Sequence, residues 1–300
     1  MSHDHSHKID NYNRAFAIGV VLNLVFVVIE AVCGVFASSL SLLADAGHNL
    51  SDVVSLLLAW GANVLATKYA TEKRTYGFKK VTIMASLLSA VLLIFVLGGI
   101  AWEAVVRFQN PQPADGMTVI VVAAIGAIIN TFTALLFVKG QKHDLNIRGA
   151  FLHMAADAGV SLGVVIAGIF IMMKGWLWID PVISIFITVV IAVGTWRLLL
   201  DSINYAIDAV PQSISIAEIR KYLLSYDHVD RMHDLHVWPL STTEVALTVH
   251  LVINEDLLDN DFIWRIQKHL HDHFGIEHST IQVENSTGNN NCLLNSSKCL

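Results

Sequence analysis

Six long apolar stretches fill the first two thirds of the chain, at roughly 15–37, 41–66, 81–103, 117–139, 149–173 and 180–200. A helix needs about 20 mostly apolar residues to cross the hydrocarbon core of a bilayer, so each stretch predicts a transmembrane helix. Short polar connections separate them, such as Asn110-Pro-Gln-Pro-Ala-Asp-Gly116. Past Pro211 the pattern changes. Residues 214–224 and 258–274 predict short helices, and 229–238, 244–254 and 280–284 predict strands. In 244–254, Val245, Leu247, Val249, Leu251 and Ile253 share one face and His250 lies opposite. The fold class expected is therefore a membrane α-helical bundle of six transmembrane helices plus a small α+β domain of order α-β-β-α-β, ferredoxin-like. Four segments follow: an arm over 1–14, the six-helix domain over 15–210, the α+β domain over 211–285, and a tail over 286–300. The Ser, Asn, Gly and Lys content of the tail predicts disorder.

Composition agrees. Of 300 residues 54% are hydrophobic and 15% charged, against about 25% charged in a soluble domain. Nothing basic in the balance calls for nucleic acid, and the net charge of −6 falls entirely on residues 211–300. Cys33, Cys292 and Cys299 make no disulfide framework and suit a reducing side for the soluble part. The start, Met-Ser-His-Asp-His-Ser-His, lacks the features of a cleaved secretory signal. Lys and Arg cluster in the arm, in the second-to-third and fourth-to-fifth connections and at Arg197, while the other side holds Arg107 and Lys174. The positive-inside rule then puts both termini in the cytoplasm. Trp176 and Trp178 suit an interfacial aromatic belt.

Ionisable groups in apolar helices are costly and point to function. The second span reads Ala-Asp-Ala-Gly-His48-Asn-Leu-Ser-Asp52 and the fifth Phe-Leu-His153-Met-Ala-Ala-Asp157. Both are His-x-x-x-Asp, which places imidazole and carboxylate on one helical face. Two such helices offer two nitrogens and two oxygens, a set that suits a tetrahedral borderline dication such as Zn(II), with cobalt, cadmium, iron and nickel also admissible. A salt bridge within each pair is the bland alternative, and the duplication weighs against it. Metal requires deprotonated ligands, so protonation expels it. Histidine titrates near physiological pH. Proton-for-metal exchange by alternating access follows.

Together with the Leu-Ala-Asp-Ala-Gly-His48 and Leu-Asn-Ile-Arg-Gly-Ala-Phe-Leu-His153 runs, these motifs resemble the cation diffusion facilitator family of zinc transporters over about residues 10–285. The resemblance implies a homodimeric exporter whose transport site is His48, Asp52, His153 and Asp157, not an enzyme. It implies that Lys80, near the start of the third span, pairs with Asp208 after the sixth. Arg74 and Phe78 stand where some members carry loop histidines, so no extra metal site is expected there. In the acidic domain Met232-His-Asp-Leu-His236, Leu247-Thr-Val-His250 and Thr280-Ile-Gln-Val-Glu284 resemble the family's cytoplasmic metal site. The set expected is His233, His250 and Glu284, with His278 as a further candidate. On a regular strand positions 233 and 236 face opposite ways, so one site should not use both. Gln282 departs from the histidine some members carry, which leaves open whether the cluster is mononuclear or binuclear. Zinc is thus expected as substrate and as a structural or regulatory ion, in a multi-pass protein of a bacterial plasma membrane.

The remaining polar groups have more modest expectations. Asp45 either orients His48 from behind or caps a helix. Asn23, Glu30 and Asn130 read as interhelical hydrogen bonding, Cys33 as packing, and His269 and His273 as solvent-facing. The His3, His5, His7 arm is a weak metal catcher or an idle tail. Two other function classes compete: a membrane-anchored metal sensor and an intramembrane metallo-hydrolase. The hydrolase lacks a His-Glu-x-x-His motif and a spare general base.

Overall fold

The computed structural model describes residues 21, 24–110, 112–138, 145–226, 228–253 and 260–285. The side chains of Asp52, Ser55, Leu56, Phe137, residues 145–150, His153, Asn260 and Asn285 are outside the described set. The arm, Asn23 and the tail also lie outside it.

The elements run α1 (Leu24–Phe36), α2 (Leu40–Ala66), α3 (Val81–Gln109), α4 (Gly116–Phe137), α5 (Leu145–Lys174), α6 (Ile179–Ala206), α7 (Ile216–Leu223), β1 (Val229–Pro239), β2 (Val245–Ile253), α8 (Asn260–Phe274) and β3 (His278–Asn285). Among the described residues, α3 to α6 are long and apolar enough to cross a membrane. In α1 the described apolar part is Leu24–Phe36, and in α2 it is Leu57–Ala66. The whole of α2 is 27 residues long, enough to cross a bilayer.

The chain divides into two compact units: Met1–Leu58 with Leu88–Leu198, and Ala59–Leu87 with Leu199–Leu300. In the first, Phe26, Leu42, Leu93, Leu97, Val119, Val122, Val164 and Ile187 form one apolar core drawn from six helices. Large apolar side chains such as Phe95, Trp102, Phe186 and Val193 stay exposed, as lipid-facing residues do. α4 and α5 approach closely at two glycines. A Cβ on Gly168 would sit 2.8 Å from Ile120 and 3.2 Å from the Gly116 carbonyl oxygen, the small-residue contact by which membrane helices pack.

Where α1 turns into α2, Ser38 takes φ 50°. Asp180, at the start of α6, is 2% exposed. Its carboxylate accepts from Ser39 Oγ at 2.8 Å, from the Leu40 amide at 2.7 Å and from the Ser41 amide at 3.2 Å. The free amides at the start of α2 thus find an anion on another helix. Arg107 of α3 donates to the Ser38 carbonyl, and the Asp115 amide donates to Ala37 O at 3.1 Å.

The second unit contains a three-stranded sheet of order β1-β2-β3. β1 and β2 are antiparallel, and β2 and β3 are parallel. Leu247, Val249, Leu251 and Ile253 of β2 are buried with Ile219 and Leu223 of α7 and Phe262, Ile266 and Leu270 of α8. The expected α-β-β-α-β order is present, with each described element end within two residues of its expected place.

The same unit takes in the connection between α2 and α3. Lys80 Nζ lies 2.6 Å from Asp208 Oδ1. Asp208 ends α6 at φ 62°, with Ala209 N bonded to Asn204 O and Asp208 N to Tyr205 O. That is a Schellman cap with aspartate in place of the usual glycine, and it fixes the backbone that presents the carboxylate. Lys79 pairs with Glu244 just before β2, and Thr82 Oγ1 accepts from the Thr242 amide at 3.1 Å. Tyr76 meets the His278 ring edge-on, with centroids 5.5 Å apart.

Candidate metal centres

α2 and α5 each carry their motif inside continuous helix, so the i, i+4 spacing holds in the backbone. His48 Nε2 lies 3.4 Å from Asp157 Oδ1, which joins the two helices. Asp157 is 3% exposed. Asp52 and His153 fall on the same two helices, but their side chains lie outside the described residues.

Behind this pair is a second tier of buried polar groups. Ser161 Oγ, one turn beyond Asp157, donates to Asp45 Oδ2 at 3.0 Å. Asn49 Nδ2, next to His48, donates to Glu30 Oε2 at 3.4 Å. Glu30 and Asp45 are both fully buried. Asp45 is therefore no helix cap: it hydrogen-bonds across to α5, one turn from both His48 and Asp157. Glu30 behaves as expected, as an interhelical acceptor. Asn130 is 1% exposed, and neither its amide nitrogen nor its oxygen has a hydrogen-bond partner among the described residues. Cys33 packs against the apolar core as a free thiol.

The sheet builds the other candidate centre. His233 of β1 stands opposite His250 of β2, and His250 opposite Gln282 of β3. Glu284, two residues on, shares the face of Gln282. His250 Nδ1 lies 3.2 Å from His233 Nε2 and 3.2 Å from Glu284 Oε1, and His233 Nε2 lies 3.5 Å from that same oxygen. Two imidazole nitrogens and one carboxylate oxygen converge, a donor set that fits a borderline dication. Among the described residues this is the group of three or more metal-type donors. Gln282 fills the next position and donates to Glu284 Oε1 at 3.0 Å.

Two expectations need correction. β1 is bulged: His233 pairs with His250 but His236 with Thr248, so one extra residue is inserted. Asp234 takes it up at φ 53°. The insertion reverses side-chain parity, so His233 and His236 both turn away from buried Leu235 and Val237. His236 then reaches Asp234, Nε2 to Oδ1 at 2.9 Å. His278 does not join the cluster. Its register partner is Ala246, four residues before His250, and its ring lies against Tyr76.

α8 is also less plain than expected. His269 is half-buried between Tyr222 and His273, with both ring distances 3.9 Å. Burial, and then the neighbouring His273, hold its pKa below the usual histidine value. His271 goes the other way, raised by its hydrogen bond to Asp272 and by Glu277.

Sequence comparison places these centres in a known context. The family model described as the cation efflux transmembrane domain matches residues 16–205, and that of the cation efflux protein cytoplasmic domain matches 211–286. The metal cation efflux system protein CzcD of Cupriavidus metallidurans is 36% identical over 94% of this chain and 89% of that protein. The cadmium, cobalt and zinc/H(+)-K(+) antiporter of Bacillus subtilis is 33% identical over 95% of this chain and 93% of its own. The zinc transporter ZitB of Escherichia coli is 34% identical, with the same coverage of both. A solved metal-bound C-terminal domain of the CzcD transporter is 34% identical but covers 24% of this chain with a TM-score of 0.22, too low to support a statement about the fold. Both the sensor and the hydrolase alternatives fall, because the matches are to efflux proteins across both parts of the chain. The chain belongs to the cation efflux family of membrane transporters, metal-handling proteins and not enzymes.

Proposed function

We propose that this transporter exports Zn(II) from the cytoplasm of a bacterium across its plasma membrane, in exchange for protons, as a homodimer. The cargo is held by His48 and Asp52 of α2 and His153 and Asp157 of α5. The observation that carries this reading is the approach of His48 to Asp157 across two helices that bear the same motif. The substrates in the names of the Bacillus and Escherichia relatives support it, as does the match to the family's cytoplasmic domain for the dimer.

The chemistry follows from the donors. A dication stripped of water needs neutral imidazole and ionised carboxylate, so loading releases protons and protonation from outside unloads it. Two nitrogens among four donors favour zinc over harder ions. Both termini face the cytoplasm, which puts residues 211–285 on the loading side, and 1–14 and 286–300 are appendages. There His233, His250 and Glu284 hold a zinc ion in a structural or regulatory role, and the Lys80–Asp208 pair interlocks the start of α3 with the end of α6.

Proteoliposomes test the reading. An imposed pH gradient should drive zinc uptake in the wild type and none in Asp157→Ala. Tight binding with no gradient-driven flux in the wild type would sink it.

A further inference from the structure

We infer that Asp234 is a positioning residue of the cytoplasmic metal centre, holding the His250 ring so that Nδ1, and not Nε2, is its metal-binding atom. This rests on the reading that His233, His250 and Glu284 bind metal. The atom of His250 that faces the other donors is Nδ1, 3.2 Å from both. Its other nitrogen, Nε2, faces Asp234, with Oδ2 3.6 Å away. A neutral imidazole carries one N–H and one lone pair. A carboxylate beside Nε2 favours the proton there and leaves the lone pair at Nδ1, on the side where the ion would sit. Metal-binding histidines are commonly oriented by such a carboxylate.

The backbone supports the assignment independently. Asp234 stands in the left-handed region at φ 53°, the conformation that glycine adopts most readily. The bulge between His233 and His236 creates that position, and glycine would fill it at lower cost. Asp234 brings a carboxylate there instead. Its Oδ1 is engaged by His236 Nε2 at 2.9 Å, which leaves Oδ2 turned to His250. Asp234 would not itself touch an ion held by Nδ1, since it lies beside the ring's other nitrogen.

The test measures zinc affinity by chelator competition and the cobalt(II) absorption spectrum on the full chain in detergent. An Asp157→Ala background removes the membrane site from the titration. Asp234→Gly keeps the bulge and removes the carboxylate. It should weaken binding about 10–100-fold, with an unchanged spectrum once saturated, because the ligands are intact. Asp234→Asn keeps an acceptor for Nε2–H and should lose less. Wild-type affinity in Asp234→Gly would overturn the proposal and leave only a turn-shaping role. Glu284→Ala separates the two readings. If it abolishes the site while Asp234→Gly does not weaken it, only the positioning role fails. If Glu284→Ala leaves affinity unchanged, the metal reading of the cluster fails, and the positioning role with it.

Discussion

His48 and Asp157 project from two long helices, their side chains 15% and 4% exposed and backed by buried Asp45 and Glu30, whereas His233, His250 and Glu284 stand on three neighbouring strands with their side chains 14–25% exposed. The donor types match and the embedding differs. Around Asp157 there is little water to replace a lost partner, and a carboxylate so placed is costly unless a cation or donors satisfy it. Glu284, at 14% exposed, is less deeply buried than Asp157 at 4%. The comparison teaches that the same donor types can sit in two embeddings, and that the drier one leaves its carboxylate more dependent on its partners.

The largest expected effect breaks the comparison at its buried end. Asp157→Ala should reduce zinc flux by more than the roughly 100-fold that loss of a mere supporting group costs, while Glu284→Ala should leave measurable flux. Equal losses in the same vesicle assay would show that embedding does not separate the two centres. His48→Asp replaces a nitrogen with a harder oxygen and should lower the zinc-to-manganese rate ratio by about tenfold. Competition between the two metals in one preparation measures it, and an unchanged ratio counts against a softness-based filter.

At the sheet, Gln282→His adds an imidazole directly opposite His250 and frees Glu284 Oε1 from an amide donor. Zinc affinity there should rise about tenfold, or roughly 1.4 kcal/mol, as read by chelator competition. The smallest effect is at Lys80→Ala. Lys80 and Asp208 are half-exposed, and such pairs contribute at most about 1 kcal/mol. Thermal unfolding in detergent should move by a few degrees at most, and a larger shift would give this pair a weight that surface ion pairs lack.

Legibility in the sequence followed the geometry of each element. The membrane motif is local: four residues make one helical turn, so His48 and Asp52, or His153 and Asp157, announce themselves without tertiary information. The strands of the soluble part were legible for the same reason, through alternation such as Val245 to Ile253. The bulge in β1 was not. Parity arithmetic presumes a regular strand, and the one cue was an aspartate between His233 and Leu235, a residue type tolerant of positive φ. Long-range partners were invisible too. Asp180 reads as an ordinary acid at a helix start, and Ser161 as a serine trailing the second motif with no visible partner, until the fold brings Ser39 and Asp45 to them. Lys79 and Glu244 are separated by 165 positions, and no periodicity links them.

Asp180 bears on how such a machine can move. Its carboxylate grips the first turn of α2, while Arg107 and the Asp115 amide hold the preceding bend. Three other helices thereby clamp one end of the rod that carries His48. Unwinding that first turn would break the bonds of the Leu40 amide, the Ser41 amide and the Ser41 hydroxyl to one buried anion. Any movement that keeps these bonds must pivot α2 about this clamp or carry α6 along with it, so an aspartate and two serines constrain how the helix bearing His48 can move.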